Sequence, residues 1–215
     1  MQNKPLDRVL ILNITIAVEA VLLLIATLWI RLSDIEMLPL FHLNRSIVFI
    51  GILGGLATAA SGFLLLWLGN LFGSQRRWLR ELRTIVDDEL APLFRSLSLG
   101  DIILIASCSS FCEEIFFRGV IQGELGLLLA SVLFGFFHCP SVRHLPYGIW
   151  AICAGSFLGW LLIQTGSIWA PIFAHALSNL VILLFLRFRR NKEKNDRVEK
   201  VSAESSGSSS GSGPE

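Results

Sequence analysis

Ile102-Ile-Leu-Ile-Ala-Ser-Cys-Ser-Ser-Phe-Cys-Glu-Glu-Ile-Phe-Phe-Arg-Gly-Val-Ile121 is long enough to cross a bilayer as a helix, yet it places two carboxylates and a guanidinium near its middle. A charge at the bilayer centre costs on the order of 3 kcal/mol and survives where it serves function or finds a partner. The stretch therefore reads as a membrane helix with a polar site inside it. Its surroundings decide for the membrane. Further apolar segments run over 9–30, 47–71, 125–137, 147–163 and 168–186, separated by short charged stretches.

Composition agrees. Only 16% of the 215 residues are charged and 53% are hydrophobic, where a soluble domain carries about a quarter charged. Six Trp and fifteen Phe suit lipid contact and interfacial anchoring. A net charge of +1 gives no basis for nucleic-acid binding. Cys108, Cys112, Cys139 and Cys153 lie in or beside apolar runs and read as small apolar fillers. The run 9–30 exceeds a signal-peptide core, and no small-residue cleavage site follows it before Arg31, so it is expected to be a retained span.

The expected fold class is thus all-α, a polytopic membrane helical bundle of about six transmembrane helices. The segments 102–121 and 125–137 meet at the Gly-rich stretch 119–126, which predicts an antiparallel hairpin. Between the second and third spans, Trp78, Leu82, Ile85, Val86 and Leu90 recur at helical spacing among Arg76, Arg77, Arg80 and Arg83. This pattern predicts an amphipathic interfacial helix with its basic residues near headgroups. Placing the N-terminus inside collects Lys4, Arg8, Arg76, Arg77, Arg80, Arg83, Arg95, Arg143, Arg187, Arg189, Arg190, Lys192 and Lys194 on the inner side. Only Arg31 and Arg45 remain outside, so both termini are expected to be cytoplasmic. Three regions follow: 1–96, two spans and the basic interfacial helix; 97–190, the transmembrane core; and 191–215, a charged, Ser/Gly-rich tail expected to be disordered.

The intramembrane polar residues point to chemistry. Glu114 and Arg118 stand four apart, share a helix face and can neutralise each other, whereas Glu113 is turned about 100° away without a local partner. His138 ends the fourth span, four residues after Phe134, and His175 and Asn179 share a face of the sixth. At about 1.5 Å per residue, Glu113 lies roughly 15 Å from the outer surface, His138 about 20 Å, His175 about 11 Å and Asn179 about 17 Å. Glu19 stands alone in the first span, and His42 and His144 fall in loops expected to be solvated.

Such a set suits hydrolysis. A carboxylate in an apolar site is a usable general base, a neighbouring His can share activation of water, and a second His with an Asn offers donors to an oxyanion. The same Glu113, His138 and His175 can alternatively hold Zn²⁺ with an open position. Spacing leaves both open. A proton relay is a further use of such residues, but it needs a polar path to both faces, and the outer parts of the third and sixth spans show little polar lining.

Three motifs in order, Glu113-Glu114-x-x-x-Arg118, Phe134-x-x-x-His138 and His175-x-x-x-Asn179, resemble those of the prenyl-protein (CAAX) endopeptidase and bacteriocin-processing family of membrane proteins. The resemblance spans roughly 97–186. It implies that Glu113 and His138 activate the attacking water, that His175 and Asn179 stabilise the oxyanion, and that Glu114, Arg118 and Phe134 support the site. It further implies a helical bundle in a membrane, bacterial by the chain's small size. The substrate would be a membrane-embedded or lipidated peptide or protein. A non-catalytic scaffold or immunity protein of the same fold is the alternative, and the resemblance leaves the metal open.

Overall fold

The computed structural model describes residues 8–73 and 75–189; the tail 191–215, Lys4 and Arg190 lie outside them. Among the described residues the chain is all helix: α1 (Arg8–Leu32), α2 (Arg45–Phe72), α3 (Arg77–Thr84), α4 (Ala91–Arg95), α5 (Leu99–Glu114), α6 (Gln122–Phe137), α7 (Leu145–Thr165) and α8 (Trp169–Phe188). Helices follow from the setting, because in hydrocarbon every backbone N–H and C=O must be satisfied within the segment.

Five continuous helical runs are long and apolar enough to span a bilayer: Arg8–Leu32, Arg45–Phe72, Leu99–Phe137, Val142–Thr165 and Trp169–Phe188. The third accounts for the difference from the six expected segments. Its 39 residues would reach roughly 58 Å if straight, about twice the hydrocarbon core. It is not straight. Gly126 sits at φ 83°, ψ 166°, a conformation open essentially to glycine alone, and the chain doubles back there. The Phe117 and Phe134 rings consequently meet at 5.1 Å, although a straight helix would hold them roughly 25 Å apart. The expected hairpin is present, with its turn at Gly126; Gly119 and Gly123 remain helical.

One end of the bundle collects the basic residues. Ser98 and Asp101 form a capping box at the start of α5, and Arg8 of α1 grips the Asp101 carboxylate at 2.6 and 2.7 Å. Glu89 pairs with Arg143 at 2.7 Å and with His144 at 3.0 Å, Asp87 pairs with Arg189, and Arg95 donates to the Arg189 carbonyl at 3.0 Å. His144 is thus not merely solvated, as its loop position had indicated. At the opposite end the loop before α2 is tied to the start of α8 by Ile168 N–H to Leu40 O (2.9 Å) and Ser167 Oγ to His42 O (2.6 Å). Arg8 and Arg189 therefore lie at the same end, as an even number of crossings requires.

The interfacial element between α2 and α5 is helical, as expected, with a π-helical turn at Ile85–Leu90 joining α3 to α4. It buries Leu79, Leu82, Ile85, Val86 and Ala91, while Trp78 is left 47% exposed. The inward face is thus rotated from the expected one, with Leu79 taking the place of Trp78.

Packing sets which helices are central. Of the most apolar stretch of α8, 44% is buried, against 11% for α1, so α8 is the axis and α1 an outer wall. The α2 backbone closes on α8 through small residues: a Cβ on Gly55 would stand 2.8 Å from Ala174 O and from Leu177 Cβ. Close approach of this kind supplies the van der Waals contact that holds helices together in lipid.

Candidate active site

The motif residues converge from three helices. Glu113 and Glu114 close α5, and Arg118 follows in a π-helical turn, Ile115–Ile121, whose residues are all buried. Such widened turns recur at functional sites, where they re-aim side chains. Glu114 is 0% and Arg118 1% exposed, and Arg118 Nε stands 3.1 Å from Glu114 Oε2. The contact is an ion pair without hydrogen-bond alignment, since Glu114 Oε2 and Arg118 Nη1 both lack hydrogen-bond partners among the described residues. Arg118 Nη2 donates to Gly155 O at 2.9 Å, and its guanidinium lies 4.4 Å over the Phe134 ring.

Phe134 organises the next layer. Its ring packs at 4.4 Å against the His138 imidazole and at 5.8 Å against His175. Its carbonyl accepts from His138 Nδ1 at 2.7 Å. Because a carbonyl only accepts, the proton sits on Nδ1 and Nε2 of the neutral ring keeps its lone pair. His138 therefore both caps the end of its own helix and presents Nε2 to the site.

His175, buried on α8, behaves in parallel. Its Nδ1–H donates to Glu114 Oε1 at 2.8 Å, which leaves Nε2 of the neutral imidazole as an acceptor. The Nε2 atoms of both rings face one atom, Glu113 Oε2, at 3.9 Å from His138 and 4.0 Å from His175. That oxygen is buried without a hydrogen-bond partner among the described residues. The gaps are too long for direct hydrogen bonds and fit a water bridging each pair.

Asn179 stands apart from this triangle. It shares the helix face with His175, but its Nδ2 donates to Ser109 Oγ at 3.3 Å, and it lines a different cavity. A neutral His175 spends its N–H on Glu114, so it joins Asn179 as an oxyanion donor only when doubly protonated.

Two cavities flank the cluster. A groove of about 500 Å³ runs between α1 and the hairpin, walled by Val18, Val21, Ile25 and Phe137, with Glu113 and His138 at its polar end. The other, of about 170 Å³, lies beneath the interfacial helix among Leu82, Val86, Leu183 and Trp150, with Tyr147 and Asn179 in its lining.

Glu19 is the residue that sequence reasoning undervalued. It is 4% exposed, its Oε2 has no hydrogen-bond partner among the described residues, and it lies within electrostatic reach of Glu113 and His175. The signal was present as a lone carboxylate in an apolar run.

Zinc would need its donors about 2.0–2.2 Å from one centre. Among the described residues no group of three or more His, Cys, Asp and Glu side chains is placed to hold a metal. Glu113, His138 and His175 do not close tightly enough to fit the ion, and no step is derived through it. Cys108, Cys112, Cys139 and Cys153 are free thiols.

Residues 95–181 match the family described as type II CAAX prenyl endopeptidase Rce1-like, the type that the three motifs resemble. Across 118 residues the chain is 32% identical to the uncharacterized protein YpbD of Bacillus subtilis (strain 168). That alignment covers 53% of this chain and 62% of the relative, so the chain spans less than two thirds of the relative's length. No solved structure matches the chain. Helical architecture and apolar spans, with this match over residues 95–181, indicate an integral membrane protein.

Proposed function

We propose that the chain is an intramembrane endopeptidase that hydrolyses a peptide bond in a membrane-embedded or lipidated peptide or protein. The observation that carries this reading is the convergence of two imidazole Nε2 atoms on the unpartnered Oε2 of Glu113, at 3.9 and 4.0 Å. Each imidazole is fixed through its other nitrogen, by Phe134 O or by Glu114 Oε1. A water held in the gap loses a proton to the Glu113 carboxylate, with His138 sharing it, as its oxygen attacks the scissile carbonyl carbon. The carbonyl π electrons move onto oxygen, where Asn179 donates to the oxyanion. The tetrahedral intermediate collapses by re-forming C=O and breaking C–N, and the proton held by Glu113 passes to the departing amine. Arg118 and Glu114 keep His175 in place throughout.

The groove between α1 and the hairpin reaches Glu113 and His138, which suits a substrate arriving sideways from the bilayer. The basic end of the bundle faces the cytoplasm in this reading, in a bacterial plasma membrane, by the charge bias.

The test is cleavage of a mixed library of lipidated and plain membrane peptides by the purified protein, comparing wild type with Glu113→Gln. Each is assayed with and without a chelator. Activity lost in Glu113→Gln and kept with chelator supports the water mechanism. Activity lost to the chelator and restored by Zn²⁺ moves the catalyst to a metal. No cleavage by wild type, where a control family protease cuts, favours a binding or immunity role.

A further inference from the structure

His138 is held to the site from its own helix. Its ring bonds the Phe134 carbonyl and packs on the Phe134 ring, and its side chain is still 25% exposed. Among the described residues no group of α5 or α8 lies within hydrogen-bond distance of that ring. The 3.9 Å gap from Nε2 to Glu113 therefore depends on where the end of α6 sits relative to α5 and α8.

The interfacial segment reaches that end. Asp87 and Glu89 stand two positions apart in its π-helical turn, Ile85–Leu90, so their side chains leave on roughly opposite sides. Asp87 pairs with Arg189, which directly follows α8, and the two side chains are only 17% and 16% exposed. Val86 and Leu90 of the same turn join Ile182, Leu183 and Leu186 of α8 in one apolar cluster. Glu89 turns the other way. It stands 2.7 Å from Arg143 and 3.0 Å from His144, and the His144 ring also meets Ser141 Oγ at 2.8 Å. Ser141, Arg143 and His144 belong to the loop that leaves His138. Among the described residues, the polar contacts between the segment and this loop all run through Glu89. Exposed ion pairs contribute little stability, and widened helical turns recur at functional sites. What the two pairs supply together is a fixed spacing between α8 and the loop.

We propose that the turn Ile85–Leu90 is a clamp across the basic end of the bundle, with Glu89 as a positioning residue for His138; the effect on catalysis rests on the proteolytic reading above. Asp87 fixes the turn to the helix that carries His175 and Asn179. Glu89 holds the loop behind His138 against the turn. Neither carboxylate touches substrate. The clamp acts through the end of α6, keeping the His138 imidazole at the distance from Glu113 that one water fills.

The test combines kinetics on the full chain in vesicles, with a substrate taken from the peptide library, and a distance measurement. Glu89→Ala should lower kcat about tenfold, since small displacements of a catalytic group act on that scale. KM should stay within about twofold and the melting temperature within about 2 °C, because the lost pairs are exposed. Reversing the pair, Glu89→Arg with Arg143→Glu, should bring kcat back to within about threefold of wild type. For the distance, nitroxides are attached at Val142→Cys and Phe188→Cys, both largely exposed, in a chain whose four native cysteines are replaced by alanine. Their dipolar distance distribution should be narrow in that background, broaden in Glu89→Ala and narrow again in the reversed pair. A kcat within twofold of wild type in Glu89→Ala, a loss confined to KM, or a reversed pair that stays as slow as Glu89→Ala overturns the positioning role. A distribution unchanged by Glu89→Ala overturns the clamp itself. A wild type that cleaves nothing overturns the proteolytic reading, and the distance distribution then decides the clamp by itself.

Discussion

His175 Nδ1–H donates to Glu114 Oε1 at 2.8 Å, joining α8 to α5 at the centre of the bundle. The same carboxylate faces Arg118 at 3.1 Å, so one buried anion serves a cation on its own helix run and an imidazole on another. With side chains 0%, 1% and 7% exposed, the three groups form a buried polar chain that ends at the gap beside Glu113.

Breaking such a chain on one side strands a charge. Glu114→Ala and Arg118→Ala should each destabilise the protein by about 3–5 kcal/mol, because the remaining partner is left uncompensated. The double variant should cost clearly less than the sum of the two. Thermal melting in detergent reads all three. Strict additivity would show that the 3.1 Å contact is not an energetic pair.

The first half of this chain was legible and the second was not. Glu114 and Arg118 stand four apart on one helical run, and helical periodicity alone puts them on one face. The bond from Glu114 to His175 joins residues 61 positions apart, and no periodicity within a span shows which face of α8 meets α5. The spacing of His175 and Asn179 pointed to a joint role, yet the first turns its N–H to Glu114 and the second donates to Ser109. The hairpin was legible from the Gly-rich stretch 119–126, whereas the glycine that makes the turn was not: of Gly119, Gly123 and Gly126 only Gly126 takes a positive φ. The rotated face of the interfacial helix was not legible, since Trp78 and Leu79 are both apolar and only packing against α2 chooses between them.

Gly155 should be sensitive although it touches no substrate. A Cβ there would meet the Phe134 ring at 3.1 Å and Arg118 Nη2 at 3.2 Å. Gly155→Ala should therefore push the guanidinium away from Gly155 O and tilt the ring that backs both imidazoles. Overpacking of this kind costs about 1–3 kcal/mol, and cleavage should fall further than that loss of stability explains. Melting and turnover measured on the same preparation separate the two effects; unchanged turnover would show that the ring does not position the imidazoles.

Glu19 should trade stability against activity. A buried carboxylate oxygen without a hydrogen-bond partner is a stability cost, and leucine at that position would pack among the apolar residues of α1. Glu19→Leu is expected to raise the melting temperature by a few degrees and to lower cleavage at least fivefold, because the field at Glu113 and His175 changes. A stabilised variant of full activity would reduce Glu19 to a structural leftover.

The sidedness follows from three surface serines. Ser33 follows α1 at the end opposite the basic residues, Ser96 ends α4 at the basic end, and Ser141 lies between α6 and α7 near Arg143 and Glu89. All three are exposed. In a chain whose four native cysteines are replaced by alanine, a cysteine at each position reports its side to a membrane-impermeant maleimide. Ser33→Cys should label in intact cells, and Ser96→Cys and Ser141→Cys only after permeabilisation, because the end rich in Arg stays inside. Labelling of Ser141→Cys from outside, with Ser96→Cys protected, would mean that α6 does not return across the membrane. His138 would then open to the outer face, and a substrate would have to reach Glu113 from there rather than from the bilayer or the cytoplasm. Labelling of Ser141→Cys and Ser96→Cys from the same side instead keeps the site and the interfacial helix on one face of the membrane, where a lipidated cytoplasmic peptide can reach both.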